Sequence, residues 1–151
     1  MFGKYLGRVA AVLLFVVTAA ASAAAQKVNT DRQGLAVKGY DVVAYFVDGR
    51  AVPGDARFEH SVDGVRYRFA SAANRDRFAR EPQRFLPQYG GFCAFAVSRG
   101  HTADTDPLAW RIVDGRLYLN YDRSVQKEWE GDIKGNVVKA DTNWPGLSRA
   151  R

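Results

Sequence analysis

The stretch RFEHSVDGVRYRF, Arg57 to Phe69, alternates apolar and polar side chains on either side of Asp63-Gly64. Asp-Gly suits a two-residue hairpin turn, because both central residues of that turn take positive φ. Pairing about it sets Val62 against Val65, His60 against Tyr67 and Phe58 against Phe69 on one face. On the other face Glu59 then meets Arg68, so charge and hydrophobicity agree on a single register and predict an antiparallel hairpin. A second stretch, AWRIVDGRLYLNY from Ala109 to Tyr121, turns on Asp114-Gly115 in the same way. Its Trp110 and Ile112 share a face with Leu117, Leu119 and Tyr121.

Helical signals fill the space around the hairpins. Ser71 is placed to cap AANRDRFAR, and Pro82 ends that helix while suiting the first turn of a short one reaching about Leu86. After Gly90-Gly91, FCAFAVSR with Gly100 behind it predicts a short buried helix. Asp122 caps a helix containing Trp129, and Ile133, Val137 and Ala140 mark a last one running toward NWPGL. Before the first hairpin two readings stand: Asp41 suits a cap for a helical turn through Val42 to Ala44, while Val43, Tyr45 and Val47 also alternate as a strand does. The order gives an α+β fold, a single small domain whose two hairpins form a small antiparallel sheet against several short helices. No internal repeat is expected beyond the two similar hairpins.

The chain ends are read from composition. Lys4 and Arg8 precede an apolar run, Val9 to Ala21, and Ala23-Ala24-Ala25 offers small residues for cleavage, so residues 1–25 read as a signal peptide and the protein as exported, periplasmic or secreted. Losing Lys4 and Arg8 lowers the net charge of +6 by two. Residues 26–38, polar and without period, read as an N-terminal tail, 39–147 as the domain and 148–151 as a C-terminal tail. No later segment has the length and apolarity of a membrane span. The remaining positive charge is interspersed with acidic residues, which gives no footprint for nucleic acid. One cysteine excludes an internal disulfide.

Four motifs carry a family resemblance: GYDVVAYF (39–46), YRFASAANRDRF (67–78), YGGFCA (89–94) and LYLNY (117–121). Together they resemble the YHS-domain family, in particular its small exported members. The resemblance implies the fold of that domain. In members fused to metal-transporting ATPases it also implies a metal site built on cysteines at positions held here by Ala44, Ala70 and Asn74. Those thiolates are missing from this chain, so the soft-metal site does not carry over.

Candidate sites centre on Cys93. Its neighbours Phe92, Ala94, Phe95 and Ala96 suit a core thiol; a ligand for a copper-like ion and a redox thiol are the competing readings. His60, His101 and Tyr89 are candidate helpers, His101 lying in a loop with Asp104 and Asp106. Tyr45, Tyr67 and Gly91 are candidate pocket residues, with Tyr40, Phe46 and Phe92 completing an aromatic interior around the sulfur. A Ser-His-Asp arrangement, a phosphate loop and a cofactor fingerprint are all missing, so enzyme activity is not expected. The expectation is an exported binding protein of YHS type holding a metal ion such as copper, or a small ligand, near Cys93. The alternatives are a structural or protein-interaction module with Cys93 in the core, and a redox thiol.

Overall fold

The computed structural model describes residues 25–149. The expected signal peptide lies outside the described residues, apart from Ala25. The elements in chain order are α1 (Ala44–Val47), β1 (Asp55–Val62), β2 (Val65–Phe69), α2 (Ala72–Arg80), α3 (Pro82–Phe85), α4 (Ala94–Ser98), β3 (Asp106–Val113), β4 (Arg116–Asn120), α5 (Arg123–Glu130) and α6 (Ile133–Leu147), with 3-10 turns at Val37–Gly39 and Gln88–Gly91. The fold is α+β, and each hairpin remains its own two-stranded antiparallel sheet instead of joining the other.

Both predicted turns form, with Asp63 and Gly64 at φ 50° and 79° and Asp114 and Gly115 at 51° and 73°. Near the turn the register is the predicted one, Val62 facing Val65, His60 facing Tyr67 and Glu59 facing Arg68. The Glu59 carboxylate accepts from Arg68 Nε at 2.8 Å. Farther out it departs: Phe69 faces Asp55, not Phe58. Asp55 Oδ1 accepts the backbone N–H of Arg57 at 2.9 Å, which turns the chain at the start of β1 and displaces the ladder. Tyr121 also departs from expectation; it lies beyond β4 and is exposed.

The second hairpin repeats this irregularity. Asp106 faces Asn120, Trp110 faces Leu119, and Asp106 Oδ1 accepts from Leu108 N at 2.8 Å. The correspondence extends well past the hairpins. Ser71 Oγ caps α2 by accepting from Asn74 N at 3.1 Å, and Asp122 Oδ1 caps α5 by accepting from Val125 N at 2.8 Å. Upstream, Val37, Lys38 and Gly39 take φ of 50°, 50° and 79°, matched by Tyr89, Gly90 and Gly91 at 57°, 60° and 78°. Asp41 N donates to Val52 O at 2.9 Å, and Cys93 N to Ala103 O at 3.0 Å. The chain is therefore two copies of one unit: left-handed turn, short helix, hairpin, two helices. This corrects the expectation of no repeat beyond the hairpins. The likeness is hidden because equivalent core positions differ in chemistry, Asp41 against Cys93, Phe69 against Asn120 and Phe78 against Trp129.

Two apolar clusters fill the interior. The first gathers Val42, Val43, Tyr45, Tyr67, Phe69, Phe78 and Phe85. The second gathers Tyr89, Phe92, Ala94, Val97, Tyr118, Trp129 and Ala140. Strand β4 is buried on both faces, Leu117 and Leu119 joining the first cluster and Tyr118 the second. At about 1.5–3 kcal/mol for each large apolar side chain buried, β4 contributes to both halves at once.

The segment 26–38 is not a peripheral tail. Leu35, Ala36 and Val37 are buried, and Ala36 N donates to Arg66 O at 3.0 Å along β2. A segment held by isolated bridges, Thr30 with Ala36 and Leu35 with Arg66, carries no periodicity for a sequence reading to detect. Ser148, expected in a C-terminal tail, is buried too, and its carbonyl accepts from Lys27 N at 3.1 Å.

Candidate functional site

The site begins at the left-handed turn before α4. It brings Tyr89 to the wall of a cleft of about 690 Å³ between the two units, lined by residues that include Lys27, Tyr67, Tyr89, Arg116, Asp141 and Trp144. The Tyr89 hydroxyl donates to Asp141 Oδ1 at 2.9 Å. Burial, and next this hydrogen bond to a carboxylate, hold the Tyr89 phenol well above its usual range, so it stays a neutral donor. Trp144 stands edge-on to it, ring centroids 6.0 Å apart. Lys27 Nζ lies 5.5 Å from the centre of the Phe92 ring. Neither Lys27 nor Arg116 has a carboxylate within 4.0 Å among the described residues.

The cleft keeps one wall only because Gly90 has no side chain. A Cβ there would stand 2.2 Å from the carbonyl oxygen of Lys27, and the φ of +60° disfavours any L residue. Asn29 N donates to Gly90 O at 2.9 Å, so segment 25–29 is laid directly on this glycine. Gly90→Ala is expected to lift that segment while sparing the hairpins. Hydrogen exchange at the Asn29 amide should accelerate at least roughly tenfold, the scale of 1.4 kcal/mol lost locally, with faster tryptic cleavage after Lys27. Unchanged protection at Asn29 would remove the glycine from this role.

The sequence-predicted site residues are not gathered in one place. Tyr67 and Tyr89 line the cleft. Cys93 lies behind it, 1% exposed, its thiol 3.6 Å from Asn120 Oδ1. His60 is half-buried on the first hairpin, edge-on to Phe78 at 6.0 Å. His101 is exposed, and its backbone N–H donates to Ala96 O. The carboxylates near His101 are already engaged, Asp104 with Lys38 Nζ at 3.0 Å and Asn29 Nδ2 at 2.9 Å, and Asp106 with its own strand. Tyr45 is buried and donates to Pro107 O at 2.7 Å, while Gly91 O accepts from Thr105 Oγ1 at 3.0 Å. The expected aromatic interior around the sulfur divides instead: Tyr40, Tyr45, Phe46 and Tyr67 pack in the first cluster, Tyr89 and Phe92 in the second. Among the described residues no three His, Cys, Asp or Glu side chains stand together as metal ligands do.

Sequence reasoning missed Asp141, Arg116, Lys27 and Trp144. Asp141 and Trp144 share the last helix, three residues apart on one side, a spacing that could have paired them. Nothing local pointed Lys27 and Arg116 at the same opening.

Asp41 resolves the reading left open before the first hairpin. Its Oδ1 accepts from Val43 N at 2.8 Å and Ala44 N at 3.1 Å, capping α1. Its Oδ2 accepts from Ala70 N and from Asn74 Nδ2, both at 2.8 Å. All three of the positions implied by the resemblance to hold metal ligands, Ala44, Ala70 and Asn74, therefore donate hydrogen bonds to one buried carboxylate. With both its oxygens taken by N–H groups, that carboxylate does not fit a metal ion.

The class defined by these features is a small α+β protein of duplicated hairpin-and-helix units. A YHS domain is detected at residues 43–89, from the start of α1 into the second left-handed turn, which covers most of the first of the two units. Comparison with curated proteins gives no match, and comparison with solved structures gives none.

Proposed function

We propose that this chain is an exported binding protein that takes a small organic acid in the cleft between its two units. The observation that carries the reading is the cleft itself: a neutral phenol donor, Tyr89, beside two cations without carboxylate partners among the described residues, Lys27 and Arg116, and an indole, Trp144. Such a lining binds a planar molecule through the aromatic faces and its carboxylate through Arg116 and Lys27. Exposed Asp63 and Asp141 at the same opening disfavour ligands of high negative charge. Copper-like binding at Cys93 has less support, because the side chain that touches the sulfur is an amide, a poor partner for a soft ion, and both histidines lie in other surroundings.

The test is thermal unfolding of the full chain with benzoate and 4-hydroxybenzoate as probes. A probe at a hundred times its dissociation constant stabilises the fold by about 2.7 kcal/mol. Arg116→Ala, a substitution at an exposed position, is expected to remove that shift without lowering the melting temperature of the free protein, and Tyr89→Phe to reduce it. No shift with either probe, or a shift that both variants retain, overturns the proposal.

A further inference from the structure

The duplication lets one half of the molecule be read against the other. At the heart of the first unit, Phe69 and Phe78 pack ring to ring, centroids 5.0 Å apart, and Asp41 has all its hydrogen bonds made. The equivalent places in the second unit are Asn120, Trp129 and Cys93. Asn120 and Trp129 are 0% exposed, and Asn120 Nδ2 and Trp129 Nε1 have no hydrogen-bond partner among the described residues. The packed ring pair of the first unit is thus matched in the second by polar side chains with two N–H groups unanswered, an arrangement that costs stability.

The orientation of Asn120 is fixed. Its Oδ1 accepts from Phe95 N at 3.2 Å and from the Cys93 thiol at 3.6 Å, so turning the amide over would set two N–H donors against each other. The carboxamide lies against the sulfur, and Trp129, in the place that Phe78 holds in the first unit, carries the other unanswered donor of the same interior. Unpartnered donors repel a cation and call for an acceptor. A thiol supplies almost none, whereas an oxygen on that sulfur supplies lone pairs for N–H donors and keeps an O–H to give to Asn120 Oδ1.

We infer that Cys93 is a modification site, oxidised by a hydroperoxide to a sulfenic acid that the Asn120 and Trp129 N–H groups hold. The Cys93 sulfur attacks the hydroxyl oxygen of the peroxide; the S–O bond forms as the O–O bond breaks, sulfur loses two electrons to the peroxide, and the departing oxygen takes up the one proton that the thiol gives up and leaves as water or an alcohol. A sulfenic acid ordinarily condenses with another thiol. Here Cys93 is the only cysteine in the chain, so no second thiol of its own stands ready, and in the closed fold the sulfur is buried. Access comes through local opening of the five-residue α4, which has glycines on both sides at Gly91 and Gly100.

The experiment treats folded protein with hydrogen peroxide, quenches it with catalase and reads the intact mass. The expected result is a species heavier by one oxygen that persists for hours, is lacking in Cys93→Ser, and is trapped by dimedone only on unfolding. Trp129→Phe restores the ring that the first unit uses and deletes one donor; further oxidation to the sulfinic acid should then run roughly fivefold faster, the scale of one lost hydrogen bond. Asn120→Asp, which keeps the acceptor and deletes the other donor, should do the same. A native thiol inert to peroxide overturns the inference, as does direct passage to the sulfinic acid in the unaltered protein, or an equal gain of mass in Cys93→Ser. An intermediate equally durable in Trp129→Phe and Asn120→Asp likewise overturns it.

Discussion

Asp41→Ala is expected to destabilise the fold by about 4 kcal/mol, on the scale of a buried, hydrogen-bonded charge stripped from its partners. Asp41 is 0% exposed and answers four N–H groups with two oxygens, tying α1 to the strand-to-helix junction at Ala70 and Asn74. Alanine fills none of these roles and leaves the helix start and the junction unjoined. Asp41→Asn is expected to be intermediate, because its amide nitrogen must face either the α1 backbone donors or those of Ala70 and Asn74. Urea unfolding of the three proteins measures the series. A loss below about 1 kcal/mol for alanine would mean that water replaces the carboxylate, and that the node is not what holds α1 in place.

Alkali is expected to unfold the protein steeply from about pH 10, the ordinary range of a phenol in the unfolded chain. Burial, followed by the charge of Asp63, pushes the Tyr67 phenol up to about 12. Burial is also the first cause that raises Tyr45, Tyr89 and Tyr118. Above pH 10 the unfolded state releases protons that the folded state keeps. Stability from these groups is therefore complete below that pH and declines as pH climbs toward the folded values. Each such phenol steepens the decline by about 1.4 kcal/mol per pH unit. Urea midpoints between pH 8 and 12, read beside tyrosinate absorbance, measure the effect, and Tyr67→Phe should make the slope shallower by one group. If all the tyrosines of the native protein ionise near pH 10 with the fold intact, the phenols are not buried as described.

Much of the architecture was legible because its signals are local. The two Asp-Gly turns, the Ser71 and Asp122 caps and the Pro82 helix start each depend on a few adjacent residues, and each appears where it was read. The ladder beyond Glu59 was not legible, since alternation continues through Phe58 while the Asp55 side chain overrides it by bonding to Arg57 N. The duplication was half legible. Its turns and caps recur visibly, yet the core residues that define a repeat to the eye have been exchanged, most sharply Asp41 for Cys93.

For the site, Tyr67 and Tyr89 were found because buried phenols need partners, a requirement visible in composition. Cys93, His60 and His101 were grouped because their side chains share ligand chemistry, and chemistry alone does not bring residues together. The left-handed turn at Tyr89–Gly91 decides the matter, sending the phenol into the cleft and the thiol behind it. Val37 to Gly39 adopt the same backbone in the first unit without lining that cleft, so the turn belongs to the architecture and the opening exploits it.

Strand β4 has a further consequence. Because Leu117 and Leu119 complete the interior of the first unit, the stretch 43–89 on its own lacks two of its own walls. Halves expressed from separate genes should each be poorly folded alone and recover order when mixed, like a clasp whose two leaves share one pin. The first unit is thus finished only by a strand that the chain adds some fifty residues later, so neither half of the sequence holds a whole interior of its own.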